Sequence, residues 1–484
     1  MSAEEALPSD VDVVVLGTGL PESIIAAACA RSGLSVLHLD RNDYYGGAWS
    51  SFHLQSITEW VGRMTKGMDA KPEPSDGNIT LGEGEECVPI GRNRNVDNIH
   101  LQWHITEPDA TESEQNGATE SDHPVLLSRG AMVQVICDSE VSKYCEFKCV
   151  GRLLCLSANE DSVEGTLLNL QVVPCSRSEI FQSEAITMLE KRRIMKFLTS
   201  CMQWHQNPDE IDGWSDFAGK PFDDFIESRG ITGNLKNFVT DAIGILRPNV
   251  IAKEGLEAVF RFMESVGRFG DSPFLWTLYG SGELPQCFCR LCAVFGGVYC
   301  LKQPLDALVL KENRVVAVIT NGQRITCKHV IADFSYLPSR YLKNQERKHV
   351  VQRAVLLTNR SVLNDPQKEH ISLLNLMRLD KDASPRLLEV GFEACAAPRG
   401  YFVSHLTASG KGSARKTLKT IVSQLYRTGP TPEHSEDSRP QLLWSLYFDL
   451  SQPEYNDEDL PPNLRIVCGV DADLDYDELI TKVC

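Results

Sequence analysis

The run from Val11 to Leu16 is apolar and β-branched, the pattern of a strand buried on both faces of a parallel sheet. Gly17-Thr18-Gly19-Leu20-Pro21-Glu22 supplies a turn, the alanine-rich stretch Ile24 to Arg31 a helix, and Ser35 to Leu39 a second buried strand ending at Asp40. This order predicts a βαβ unit. Between Lys66 and Pro124 the periodicity lapses, and Thr106 to Asp122 carries Glu107, Asp109, Glu112, Glu114, Glu120 and Asp122 with no Lys or Arg. A disordered or loosely held acidic insertion over 66–124 is expected. Patterning resumes at Val125 to Cys137 and Lys143 to Leu156, predicting a helix and then strands.

From Ser183 to about Trp204, Ile186, Leu189, Ile194, Phe197, Leu198, Cys201 and Met202 recur at helical spacing, with Lys191, Arg192 and Arg193 on the polar side. Helical patterns follow over Phe222–Ser228, Asn234–Leu246 and Lys253–Val266, separated by Gly230, Pro248 and Asn249. Four helices in succession predict an all-helical domain at 175–266, inserted into a discontinuous sheet domain of 1–174 and 267–484. Short strands are expected at Ala307–Leu310, Val315–Thr320, Gln323–Thr326 and His329–Asp333, with Val350–Thr358, Tyr401–Leu406 and Leu442–Asp449 extending the sheets. Thr428 to Pro440, with three prolines, reads as a surface loop. The fold class is therefore α/β: a Rossmann-type βαβ sheet domain, additional β-sheet and an inserted helical domain.

Composition narrows the function. The chain has 484 residues, room for two domains, and its 42% hydrophobic and 24% charged residues exclude a disordered, collagen-like or membrane-embedded protein. A net charge of −18 repels phosphate backbones, which argues against nucleic acid as a partner unless basic residues are strongly clustered, and basic proteins fit better. Met1 to Asp10 lacks the features of a secretory signal, and no segment is long and apolar enough to span a bilayer. Sixteen cysteines in such a chain read as reduced thiols in the cytosol. Cys289 and Cys292 form a CxxC beside Cys287, but no second pair stands at zinc spacing, so buried small thiols are expected and no metal.

Gly17 and Gly19 on a strand-to-helix turn, with Asp40 some twenty residues on, begin a dinucleotide fingerprint. The third glycine is replaced by Glu22, whose side chain obstructs helix packing and whose carboxylate opposes a pyrophosphate. The two readings are an FAD-dependent oxidoreductase and a fold whose Gly17, Gly19 and Asp40 are vestigial; the change at Glu22 favours the second, with no cofactor. There is no GxSxG elbow, HExxH or Walker loop, which argues against an enzyme. His53, His100 and His104 read as surface or insertion residues.

Leu16-Gly-Thr-Gly-Leu-Pro-Glu-Ser23 and Val36-Leu-His-Leu-Asp-Arg-Asn-Asp-Tyr-Tyr-Gly-Gly47 resemble the start of the family of Rab escort proteins and Rab GDP-dissociation inhibitors. The block from Arg268-Phe-Gly-Asp-Ser-Pro-Phe-Leu-Trp to Phe-Gly-Gly-Val-Tyr-Cys300 resembles that family over 33 consecutive positions. Leu20 to Cys29, Gln286 to Cys292, the acidic insertion and Phe181 resemble the escort branch. The resemblance implies an FAD-oxidoreductase-like (GDI-like) fold that binds no flavin. It also implies a job without chemistry: binding unprenylated, GDP-bound Rab GTPases, presenting them to the Rab geranylgeranyl transferase α/β heterodimer, and delivering the lipidated product transiently to membranes from the cytosol. A Rab GDP-dissociation inhibitor is the alternative. An acidic body would attract basic Rab tails over a Debye length of about 8 Å.

By the same resemblance, Tyr45, Glu283, Arg290, Val298 and Cys300 map to a Rab-binding platform, with Arg268 to Ser272 as a mobile loop beside it. Glu283 and Arg290 could instead pair with each other. Phe181 and Arg192 map to a contact with the transferase; Phe181 could instead staple its helix start. The inserted helices would hold geranylgeranyl groups, though Ile194, Phe197, Leu198, Phe238 and Val239 could equally be ordinary core. The stretch after Val467-Cys-Gly-Val-Asp471 departs from the escort pattern, without its closing helix and proline-bearing acidic tail, and Cys484 stands in no CaaX context.

Overall fold

The computed structural model describes residues 7–483 apart from 67–80, 106–117, 121–124, 158–167, 209–213, 366–367, 430–436, 468 and 470–471. Most of the acidic run Thr106–Asp122 and the terminal Cys484 therefore lie outside the described residues.

The predicted βαβ unit forms as Asp10–Leu16, Leu20–Arg31 and Val36–Leu39. It sits in a first sheet of eight described strands, ordered Val298–Cys300, Val36–Leu39, Asp10–Leu16, Gln323–Asp333, Arg314–Thr320, Leu305–Lys311 and Glu85–Pro89, with Leu464–Val467 also paired to Gln323–Asp333. The two short strands expected within 323–333 are one continuous strand. Its first residues pair antiparallel with Arg314–Thr320, while later ones pair in parallel with Asp10–Leu16 and Leu464–Val467. Different neighbours along its length explain why the sequence pattern looked interrupted.

A second eight-stranded sheet is built around three long neighbours, Leu342–Thr358, Phe402–Ser409 and Leu442–Tyr455. Alternate residues of Leu342–Thr358 serve its two faces. Val351 and Val355 join one apolar cluster with Phe197, Phe222, Phe238 and Leu256 of the helices at 177–265, whereas Ala354 and Leu356 join another with Leu418, Ile421 and Leu425 of the helix Ala414–Leu425. The helical layer thus covers one face of the second sheet and a single helix covers the other. Each large apolar side chain buried in these clusters contributes about 1.5–3 kcal/mol.

Two corrections concern the insertion and the end of the chain. Within 66–124, Glu85–Pro89 pairs with Leu305–Lys311 and Val96–Trp103 pairs with Leu442–Tyr455, so these residues are sheet edges and not loosely held. His100 accordingly belongs to the edge strand Val96–Trp103 and His104 directly follows it, with its Nε2 2.9 Å from Ser445 Oγ. After 471, Asp477–Val483 forms a helix packed on Leu20–Arg31 and on Ala131–Asp138, and its Leu479 and Ile480 are buried.

Candidate functional site

The strand-to-helix turn shows why a cofactor does not fit. Gly17 takes φ +106°, which an L side chain rarely adopts. A Cβ placed on Gly19 would lie 2.3 Å from Glu22 Oε2, so the glutamate already fills the space against the turn where a pyrophosphate would approach. Glu22 is 2% exposed, and burial, reinforced by the charge of Asp333, holds its carboxyl well above the usual range. Asp40, the residue expected to bind a ribose, is consumed internally. Its Oδ2 accepts from Thr18 N at 2.7 Å and Thr18 Oγ1 at 2.6 Å, and its Oδ1 from Asn42 N at 2.8 Å and Tyr336 Oη at 2.9 Å. The cleft is lined by Arg41, Arg92 and Arg94 as well as by Glu22, Asp40 and Asp333, so the obstacle is not its charge but the occupied turn and the saturated Asp40. The residues present do not fit FAD.

Beside this cleft lies the helix Glu283–Val294. Leu284, Cys287, Phe288, Leu291 and Cys292 recur at helical spacing and pack on Leu20, Ile24, Ala27 and Ala30 of the first helix, whose small residues permit close approach. The CxxC thiols are therefore core. Cys289 lies 3.4 Å from Ser23 Oγ, and burial pushes its thiol up to about 12. Among the described residues no group of side chains is arranged to hold a metal ion.

The opposite stripe of the same helix exposes Gln286, Arg290, Ala293 and Val294. It continues through Phe295 into the edge strand Val298–Cys300, by a turn in which a Cβ on Gly297 would lie 2.4 Å from Cys292 Sγ. Tyr45 packs against that strand, its ring 6.2 Å from that of Tyr299. Burial, then the bond to Tyr299, raises the Tyr45 phenol. Arg290 and Glu283 stand two helical turns apart, ~10 Å. Among the described residues no ion pair joins them, so the internal-pair alternative falls; the Arg290 guanidinium instead stacks on Tyr144 at 4.6 Å. Glu283 is half-buried, which raises its carboxyl, and it opens onto a cleft lined by Tyr279, Phe392 and Arg399.

Tyr45, Arg290, Val298 and Cys300 thus share the helix and its following strand, with Glu283 at the helix start. Arg268 belongs to neither of these elements and donates to Ser128 O at 2.6 Å. Its neighbour Phe269 is exposed. Sequence reasoning missed Val294 and Phe295, both exposed apolar residues between Arg290 and Val298. Their exposure could have been found by extending the helical wheel past Arg290. Tyr279, at φ +65°, and Phe392 were also missed; Tyr279 lies inside the quoted 33-residue block, whereas Phe392 carries no sequence signal.

On the helical layer, Phe181 is 62% exposed and does not staple a helix. The two helix starts on either side of it are closed by capping boxes instead, Ser176 with Glu179 and Thr187 with Glu190. Leu189, expected in the buried stripe, is exposed like Met188, and Lys191, expected on the polar side, is buried and donates to Phe181 O at 2.8 Å. Phe181, Met188 and Leu189 are thus exposed apolar residues, the last two within a helical turn of exposed Arg192 and the first tied by its carbonyl to the same helix through Lys191. Ile194, Phe197, Leu198, Phe238 and Val239 are all buried core. A small cavity beside them is lined by Ile180, Met195, Leu198, Met202 and Met263.

The residue pattern of the GDP dissociation inhibitor (GDI) family matches residues 7–78 and 115–413. The chain belongs to that family. Among its relatives, the Rab proteins geranylgeranyltransferase component A 1 of Caenorhabditis elegans is 41% identical over 493 aligned residues, covering 99% of this chain and 92% of that protein. Guanosine nucleotide diphosphate dissociation inhibitor 2 of Arabidopsis thaliana is 26% identical, covering 99% and 94%. In fold, the chain is similar to the Rab GDI of Plasmodium falciparum, with TM-score 0.67 and 19% identity over 99% of this chain and 97% of that one. An oxidoreductase from Methanosarcina mazei follows at TM-score 0.52 and 12% identity, over 98% of each chain. The GDI-family fold is thus the oxidoreductase-like α/β fold expected from the βαβ unit.

Proposed function

We propose that this GDI-family chain is a Rab escort protein. It binds unprenylated Rab GTPases in the GDP form, presents them to the geranylgeranyl transferase heterodimer, and carries the lipidated product through the cytosol to membranes. It supplies no chemistry of its own.

The observation that carries this reading is the exposed stripe from Arg290 through Val294 to Val298, set beside a cofactor-type turn whose space at Gly19 is taken by Glu22. A rigid helix presenting an exposed guanidinium, in no ion pair among the described residues, and apolar neighbours suits a protein partner better than a small substrate. Tyr45, Glu283, Val298 and Cys300 would complete the Rab contact, with Arg268 to Ser272 flanking it. The exposed side chains of Phe181, Met188, Leu189 and Arg192 favour an escort over a dissociation inhibitor, because large exposed apolar groups with an Arg need a second partner, here the transferase. The methionine-lined cavity in the helical layer supports opening around a geranylgeranyl chain, since unbranched methionines repack readily. Among the described residues no helix is long and apolar enough to cross a membrane, which is compatible with transient delivery.

Size-exclusion chromatography of the protein with a GDP-loaded Rab and with the heterodimer tests the proposal. Co-elution of all three is expected. Binding to Rab without the heterodimer would favour the dissociation-inhibitor reading, and binding to neither would overturn both.

A further inference from the structure

The face of the second sheet turned away from the helical layer carries the helix Ala414–Leu425, and this helix is basic in an acidic chain. Leu418, Ile421, Val422 and Leu425 bury its inner side, while Arg415, Lys416 and Lys419 lie outside, with Lys411 just ahead and no acid within the helix. Between it and the strands Val96–Trp103 and Leu442–Tyr455 is an open cleft of about 520 Å³, lined by Arg415, Lys419, Arg427 and Arg439 and, among the described residues, by one acid, Asp437.

Two of the four cations are fixed by the fold. Arg427 donates to Gly429 O at 2.9 Å and Arg439 O at 3.2 Å, and Arg439 pairs with Asp437 at 2.7 Å. The other two, Arg415 and Lys419, stand one helical turn apart with no ion pair or hydrogen bond among the described residues. Like charges at that spacing destabilise a helix, and nothing described in the chain offsets them. Gln102, and His104 bonded to Ser445 Oγ at 2.9 Å, add polar groups to the wall.

We propose that this cleft binds a ligand carrying several phosphate esters, either the headgroup of an anionic lipid or a soluble inositol polyphosphate. With Arg439 paired to Asp437, Arg415, Lys419 and Arg427 leave the described lining with a positive excess that calls for more than one anionic group, each phosphate monoester brings about −1.5 to −2 charges, and guanidinium forks match phosphate oxygens. The volume suits a headgroup-sized molecule. Because the sheet separates the cleft from the helical layer, the ligand binds without displacing the contact proposed for the transferase, and the inference does not rest on the proposed function.

Titration of the full chain with inositol hexakisphosphate, and flotation with phosphatidylcholine vesicles containing phosphatidylinositol bisphosphate, test it. Saturable binding that weakens with salt is expected. The double variant Arg415→Glu and Lys419→Glu, both exposed, should weaken it by about 30-fold, while Lys311→Glu on the first sheet leaves it unchanged. Flotation through Arg415 and Lys419 identifies the lipid as the source; hexakisphosphate binding through them without flotation identifies the soluble ligand. Binding of neither probe, or binding that the double variant retains, overturns the proposal.

Discussion

Arg378 is where the helical layer is fastened to the second sheet, and its removal should have a pH-dependent cost. It follows the strand Ser372–Asn375 and reaches two residues of the layer. Its guanidinium donates to Asn237 Oδ1, and its Nε lies 2.8 Å from Asp241 Oδ2, though out of line for a hydrogen bond. Asn237 Nδ2 in turn donates to Leu156 O at 3.2 Å. Burial, only partly countered by Arg378, pushes the Asp241 carboxyl from 3.8 to about 6. Because the folded value lies above the unfolded one, the stabilising contribution is complete below about pH 4 and is lost as pH rises through about 6; the gap amounts to about 3 kcal/mol.

Arg378→Ala removes the attraction that keeps this penalty in check. A fully buried pair losing one partner costs about 3–5 kcal/mol, but Arg378 is one-third exposed, so we expect about 2 kcal/mol at about pH 7. At about pH 4, where Asp241 is protonated in the folded state, only the Asn237 hydrogen bond is lost, about 1 kcal/mol. Asp241→Asn keeps the acceptor that receives Thr240 Oγ1 and should raise stability at neutral pH while leaving it unchanged in acid. Urea midpoints of the three proteins at both pH values are the assay, with the variants compared to wild type at each pH so that other titrating groups cancel. Equal losses for Arg378→Ala at both pH values would refute the reasoning.

Other perturbations separate binding from folding. Arg290→Ala should weaken binding of GDP-loaded Rab by about tenfold or more, measured by titration calorimetry, with an unchanged melting temperature, since the residue is exposed and pairs with no acid among the described residues. Phe181→Ala should reduce pull-down of the transferase and leave Rab binding intact. Glu389, fully buried and accepting from Val362 N at 2.8 Å, is raised to about 7 by desolvation, so wild-type stability should fall between about pH 4.5 and 7. Glu389→Gln should flatten that part of a stability–pH profile; an unchanged slope would count against the assignment.

The parts of the fold legible in the sequence were those where one period ran unbroken. Val11–Leu16 reads as a buried strand because it is one, and the helices at 188–265 follow the 3.6-residue spacing of Ile194, Phe197, Leu198 and Cys201. The edge strand Val96–Trp103 was missed because a bulge breaks its phase. Val96 and then Ile99, Leu101 and Trp103 face the same cluster, with Asn98 in the left-handed region at φ +50° between them. Lys191 misled because the long side chain of a polar-looking position turns inward to cap Phe181 O. At the site, Glu22 was legible as an obstruction from its type and place alone. The saturation of Asp40 was not, because Tyr336 comes from 296 residues away in the chain.

The most direct test of the central claim is transfer of labelled geranylgeranyl to a purified Rab by the catalytic heterodimer, with and without this protein. The account predicts transfer that depends on the protein and that falls with Arg290→Ala and with Phe181→Ala. Transfer of the same rate and extent in its absence, or none in the presence of folded protein that binds both partners, would contradict it.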